Sequence, residues 1–254
     1  DPIGNRLFSS LDGVTNTYTA NALNQYAAVT VQPSSFSLYP SYDADGNMTW
    51  DGKFVHAWDA ENRLVKSVQG GTVTNGSVMV ENRYDYLHRR ISKTVRRLTG
   101  RGAGYPLDPS QAGAWEMAET RTFLYDGWNL VRETVSDANG ATAMIEYFWG
   151  PDLSGTLQGA GGVGGLLAVS VGGNFYFPCY DNNGNVVAYA DESGTLRAEY
   201  AYDAFGNTVR RSGDMANGFR FRFSTKYYDE ETSFYYYGYR FYSPALGRWL
   251  NRDP

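Results

Sequence analysis

Apolar and polar residues alternate along most of this chain. Phe219-Arg220-Phe221-Arg222-Phe223 places aromatics on one side and arginines on the other. Phe54 to Trp58, Arg90 to Arg96, Thr120 to Tyr125, Leu130 to Val135, Met144 to Trp149 and Leu196 to Tyr202 alternate in the same way. A period of two predicts half-buried β-strands. The pattern predicts about fifteen of them and no helix longer than about two turns.

The polar breaks between these runs repeat. Tyr42-Asp43-Ala44-Asp45-Gly46-Asn47, Tyr180-Asp181-Asn182-Asn183-Gly184-Asn185 and Tyr202-Asp203-Ala204-Phe205-Gly206-Asn207 share one pattern: Tyr-Asp, two residues, Gly-Asn. Asp1 to Asn5 matches it without its first letter. Looser copies begin at Trp58, Tyr84, Tyr125 and Tyr228. An Asp at the first corner of a type I turn accepts hydrogen bonds from amides further along the turn. Gly at the fourth position takes positive φ without a Cβ penalty. Type I turn plus left-handed residue is a hairpin with a bulge. The anchoring aspartates recur at intervals of about 16–26 residues, or doublings of that, which suits two strands and two turns per unit.

Fifteen strands at roughly 4.8 Å would form a strip roughly 70 Å wide. Open twisted sheets seldom exceed about ten strands without curling or splitting. The strip is therefore expected to curl. Two segments interrupt the rhythm: 98–119, rich in Gly and Pro, and 152–173, with eight glycines. They are expected to be irregular excursions.

Composition narrows the function classes. Net charge is −5, which gives no nucleic-acid footprint. The short arginine pairs (Arg89-Arg90, Arg96-Arg97, Arg210-Arg211) read as solvated strand edges. The lone Cys179 excludes an internal disulfide and reads as a buried inert thiol. His56 and His88 are the only histidines, too few for a conventional metal or triad reading, so no metal and no cofactor are expected. No run of about twenty apolar residues predicts a membrane span. Asp1-Pro2-Ile3-Gly4 is not a signal peptide, and both ends read as cuts through a longer protein.

The most specific stretch is Tyr228 to Pro254, an aromatic run with Gly and Arg followed by Ser243-Pro244, Gly247-Arg248 and Asp253-Pro254. It resembles the start of the Rhs-repeat-associated core domain. The Tyr-Asp turns resemble the YD repeats of the same proteins, of toxin-complex C subunits and of teneurins. Gly161 to Ala168 looks like the segment those proteins carry before a late repeat. The resemblance spans essentially the whole chain. It implies an all-β fold of tandem antiparallel hairpins in one spirally curled sheet, part of a hollow shell. Residues 1–227 would be the repeat strip and 228–254 the truncated start of the core domain. The implied role is a wall segment that encloses a C-terminal polymorphic toxin before delivery, with no turnover of its own. The implied partners are that toxin, the rest of the shell and a secretion-system delivery protein; the protein would be bacterial, secreted or delivered to a cell surface. A carbohydrate- or cell-surface-binding module is the alternative. A second alternative is an aspartate autoprotease active only in the longer parent, in which Asp253 supplies half of the catalytic pair.

Other motifs have plainer explanations. Gly159 to Gly164 mimics a dinucleotide fingerprint, but no helix follows. Asp43 and Asp181 could begin calcium loops, yet no flanking helix pair is expected. The Tyr235-Tyr236-Tyr237 run could stack on sugars, with core packing the stronger reading.

Overall fold

The structure is a computed structural model and describes residues 6–11, 13–34, 36–99, 105–106 and 115–253. Asp1 to Asn5, and the parts of the 98–119 excursion at 100–104 and 107–114, lie outside the described residues. The described residues form strands, turns and one short 3-10 turn at Phe223–Thr225.

Fourteen strands make one antiparallel sheet, from Ser41–Tyr42 at one edge to Thr208–Ser212 at the other. Each pairs with its neighbour in sequence, apart from the small strands Thr72–Val73 and Tyr105–Pro106, which pair with each other. A four-stranded sheet precedes the ribbon, built from Phe8–Leu11, Val14–Ala20, Tyr26–Gln32 and Phe36–Leu38. Another follows it: Tyr227–Asp229, Phe234–Tyr236, Phe241–Ser243 and Arg248–Trp249. The total is 24 strands among the described residues, more than the pattern predicted, because several are only two or three residues long.

Alternation decides which face is covered. In Phe54–Trp58 the side chains of Phe54 and His56 are buried while Val55 and Ala57 are exposed. In Trp115–Asp126, Arg121 and Phe123 are buried while Thr122 and Leu124 are exposed. The inner face contributes Met48, Leu64, Phe123, Leu130, Tyr147, Val169, Val186, Tyr189 and Tyr200 to one core. Opposite them in that core sit Phe219, Phe221, Tyr227, Phe234, Tyr236, Phe241, Leu246 and Leu250 from the terminal segment. One short tail meets side chains from nearly every strand, so the ribbon curls around it. The curl also brings distant turns together. The Arg6 guanidinium lies 3.6 Å from the centre of the Phe205 ring and donates to the carbonyl of Ala245 at 3.3 Å.

Four expectations need correction. The alternating Phe219–Phe223 segment is not a strand: only Phe221 forms a bridge, to Tyr227, and Phe223 opens the 3-10 turn. Its Arg222 is fully buried, donating to the carbonyls of Phe219 and Ala216 and to Glu230. Arg90 is also buried rather than a solvated edge, because the tail covers its strand and supplies a carboxylate. Cys179 is exposed, not buried. Alternation along Asn174–Tyr180 turns Tyr176 inward and leaves Phe177 and Cys179 outside.

The 152–173 excursion is a chain of turns up to Gly165, followed by the strand Leu166–Val171. The 98–119 excursion begins in the strand Arg90–Leu98 and ends in the strand Trp115–Asp126. No described helix is long and apolar enough to cross a membrane.

Candidate functional site: the turn edge and the buried seam

The site is built from the repeated turn. In the first full copy the Asn47 amide donates to Asp43 Oδ1 at 2.8 Å, and its side-chain amide donates to Oδ2 at 2.9 Å. The same two bonds measure 2.9 and 2.7 Å at Asp181–Asn185 and at Asp203–Asn207. Turn chemistry therefore occupies the carboxylates that resembled calcium loops. In the looser copies Arg63 and Arg89 replace Asn, and their Nε atoms reach Asp59 and Asp85 at 2.7 and 2.8 Å. Asn62 and His88 replace Gly, with φ of 57° and 65°. The copy at Tyr125 is tighter: Asp126 pairs directly with Asn129 across a two-residue loop.

The first letter of the motif has its own task. Tyr84, Tyr125, Tyr180 and Tyr202 donate their hydroxyls to the carbonyls of Leu64, Arg90, Leu166 and Val186, at 2.7, 3.0, 2.5 and 2.7 Å. Trp58 and Trp149 donate their indole N–H groups to Met48 and Leu130 at 2.8 and 2.7 Å. Five of these acceptors open a strand after an earlier turn, and Leu130 is the second residue of Asn129–Asp137. A register shift occurs at each of these aromatics. The bulge frees the carbonyl from the ladder, and the next unit's aromatic satisfies it.

The terminal segment closes onto this edge. Met48 donates its amide to the carbonyl of Leu250 at 2.7 Å, Ser224 its amide to Asn185 Oδ1 at 2.7 Å, and Asn207 its side-chain amide to the carbonyl of Pro244 at 3.0 Å. All three full copies of the motif thus hold the tail at or beside their Asn.

Beneath lies a buried ionic seam. Asp229 accepts from Arg90 Nη1 at 2.6 Å and from Lys93 Nζ at 2.9 Å, and Lys93 also donates to Glu231 at 2.8 Å. Burial pushes the Asp229 pKa up, but the two cations outweigh it and hold it at about 2. Glu133, fully buried, accepts from the hydroxyls of Tyr227 and Tyr147 at 2.6 and 2.7 Å and pairs with Arg121. Burial raises its pKa, and Arg121 with the two hydroxyls brings it below the ordinary value. A catalytic carboxylate pair shares a proton. These carboxylates share cations instead, which fixes a structure rather than poising a reaction. Asp229, read as a turn residue, still accepts from the Ser233 amide through its carbonyl, while its carboxylate serves the seam. Nothing in the sequence marks Lys93 or Glu133 as seam residues, since Asp229 and Glu231 lie 136 and 138 positions from Lys93 and Tyr227 lies 94 from Glu133.

Asp253 lies apart from the seam. Its side chain is 77% exposed and pairs with Arg240 at 3.0 Å. Asp253 and Arg240 line a surface pocket of about 210 Å³ together with Arg248 and Arg252. Tyr235 and Tyr236 are buried in the core. The glycine-rich loop at 159–164 is folded by the carboxylate of Asp152, which accepts from the amides of Ala160 and Gly162 at 2.8 and 2.9 Å. No parallel strand or helix flanks it. Among the described residues no group of His, Cys, Asp or Glu could hold a metal ion.

The chain is thus a hairpin ribbon with self-capping turns, curled around its own tail. The teneurin YD-shell family matches residues 161–254. The chain is 31% identical to the tRNA nuclease WapA of Bacillus subtilis over its whole length, and that length is 9% of WapA. Against the toxin protein Tse5 of Pseudomonas aeruginosa it is 28% identical, over 84% of this chain and 16% of Tse5. The fold is similar to part of one chain in the structure of the Tc holotoxin pore of Photorhabdus luminescens, with a TM-score of 0.64 at 16% identity over 95% of this chain and 12% of the other. The chain belongs to the Rhs/YD-repeat proteins, and it spans roughly a tenth of the first curated relatives it matches.

Proposed function

We propose that this chain is the closing stretch of a shell wall that encloses the toxin domain of a longer bacterial protein until delivery outside the producing cell. The observation that carries the reading is the ribbon itself, whose inner face and turn edge are both engaged by the terminal segment. Relatives named as toxins along the chain support it. In this reading residues 1–227 are repeat strip, 228–254 begin the core domain, and the wall performs no chemistry. Expression of the longer protein provides the test. Its toxin domain should resist protease while the wall is intact. Digestion of that domain at the rate of the free toxin would rule out enclosure.

A second reading, for the longer protein only, makes Asp253 one half of an autoproteolytic aspartate pair. Its exposed carboxylate beside an arginine-lined pocket supports this, because a second segment has room to approach. The Asp253→Asn variant of the longer protein should remain uncut. Cleavage at the unchanged rate would remove Asp253 from the reaction.

A further inference from the structure

A cavity of about 310 Å³ lies between the ribbon, the glycine-rich loop and the terminal sheet. Nine aromatic side chains line it, among them Trp128 and Tyr239, whose rings lie 4.7 Å apart. Two cations line it, Arg90 and Lys226, and no carboxylate does. Arg90 is 1% exposed, and its buried Nε has no hydrogen-bond partner. Lys226 donates to the carbonyl of Gly161 and has the Tyr237 ring 5.4 Å away.

The remaining polar groups of the lining are largely occupied. Gln158 donates to Asn129, the Thr225 hydroxyl donates to the carbonyl of Gly184 and accepts from the Gly164 amide, and the Tyr125 and Tyr227 hydroxyls bond to Arg90 and Glu133. A hydroxyl-rich sugar would find few partners there. A flat ring would find aromatic faces, and an anionic group would find the Lys226 ammonium and the unpartnered Nε of Arg90, whose Nη1 is already paired with Asp229.

We propose that this cavity binds a small aromatic carboxylate, its ring between the aromatic walls and its carboxylate toward Arg90 and Lys226. This does not depend on the shell reading, since the residues named for it all belong to this chain.

The test titrates the 254-residue chain with indole-3-acetate, with its neutral analogue indole-3-ethanol, and with glucuronate, following tryptophan fluorescence and amide chemical shifts. Indole-3-acetate should bind at least about tenfold more tightly than either comparison ligand. Shifts should centre on Trp128, Lys226 and Tyr239. Lys226→Gln should erase most of the preference for the anion. Tyr239→Ala, at a half-exposed site, should weaken the acid and the alcohol alike without changing the melting temperature. Equal affinity for the acid and the alcohol, tighter binding of glucuronate, or no saturable binding of indole-3-acetate would overturn the proposal.

Discussion

Asp203 holds its turn through five hydrogen bonds. Its amide donates to the carbonyl of Asn207 and its carbonyl accepts from Gly206; its carboxylate accepts from the amides of Phe205 and Asn207 and from the Asn207 side chain. Such local bonds are visible in sequence, because donor and acceptor lie within five residues. Asp203→Ala leaves these donors without their acceptor and is expected to cost about 1–3 kcal/mol. Gly206→Ala should cost a similar amount, since φ is +87° and a Cβ would lie 2.7 Å from the Phe223 ring. Urea denaturation of both variants measures this; unchanged midpoints would show that the turn does not limit stability. Seam residues behave differently with pH. Asp229 is held at about 2, and Glu133 is lowered from its usual value. Both folded pKa values lie below the unfolded ones, so this stabilisation is fully present above the unfolded range and is lost as pH falls. The denaturation midpoint should stay level from neutrality down to about pH 5 and drop steeply from about pH 4 toward 2. Equal stability at both ends of that window would mean the seam contributes nothing.

At the scale of elements, the two-residue period located most of the ribbon strands. It failed at Phe219 to Phe223, where the alternation is real but the ladder is absent. That segment plugs the inner face, so both of its sides are covered and arginine no longer marks solvent. The aromatic ladder between repeats was also invisible, because a backbone carbonyl carries no sequence signature. Tyr202→Phe keeps the ring and removes the hydroxyl that donates to the Val186 carbonyl at 2.7 Å. It should cost about 0.5–1.5 kcal/mol, or more if water does not reach the freed carbonyl. The same change at the exposed Tyr86 serves as the neutral control, being outside the ladder. Equal effects at both positions would deny the ladder a stabilising role.

Over the whole molecule, the terminal segment decides whether the ribbon has a covered face. Removal of residues 219–254 would uncover the inner aromatic and aliphatic side chains along the strip, from Met48 to Tyr200. Large exposed apolar patches drive association. The shortened chain should bind a hydrophobic dye and elute as oligomers or aggregates, whereas the full chain should not bind the dye. A monomeric, dye-free truncation would show that some other contact covers the face. The sequence by itself determined the local rules: where the chain turns, which residues carry the turn, which strands alternate, and that so wide a strip must curl. These depend on neighbours within a few residues, and backbone geometry fixes them. Only the tertiary structure decided which charges are buried, that Asp229 joins Arg90 and Lys93, and that the tail seats at or beside the asparagines of three separate turns. Those contacts join residues as many as 202 positions apart (Met48 and Leu250), and closure of the ribbon, not local pattern, brings them together.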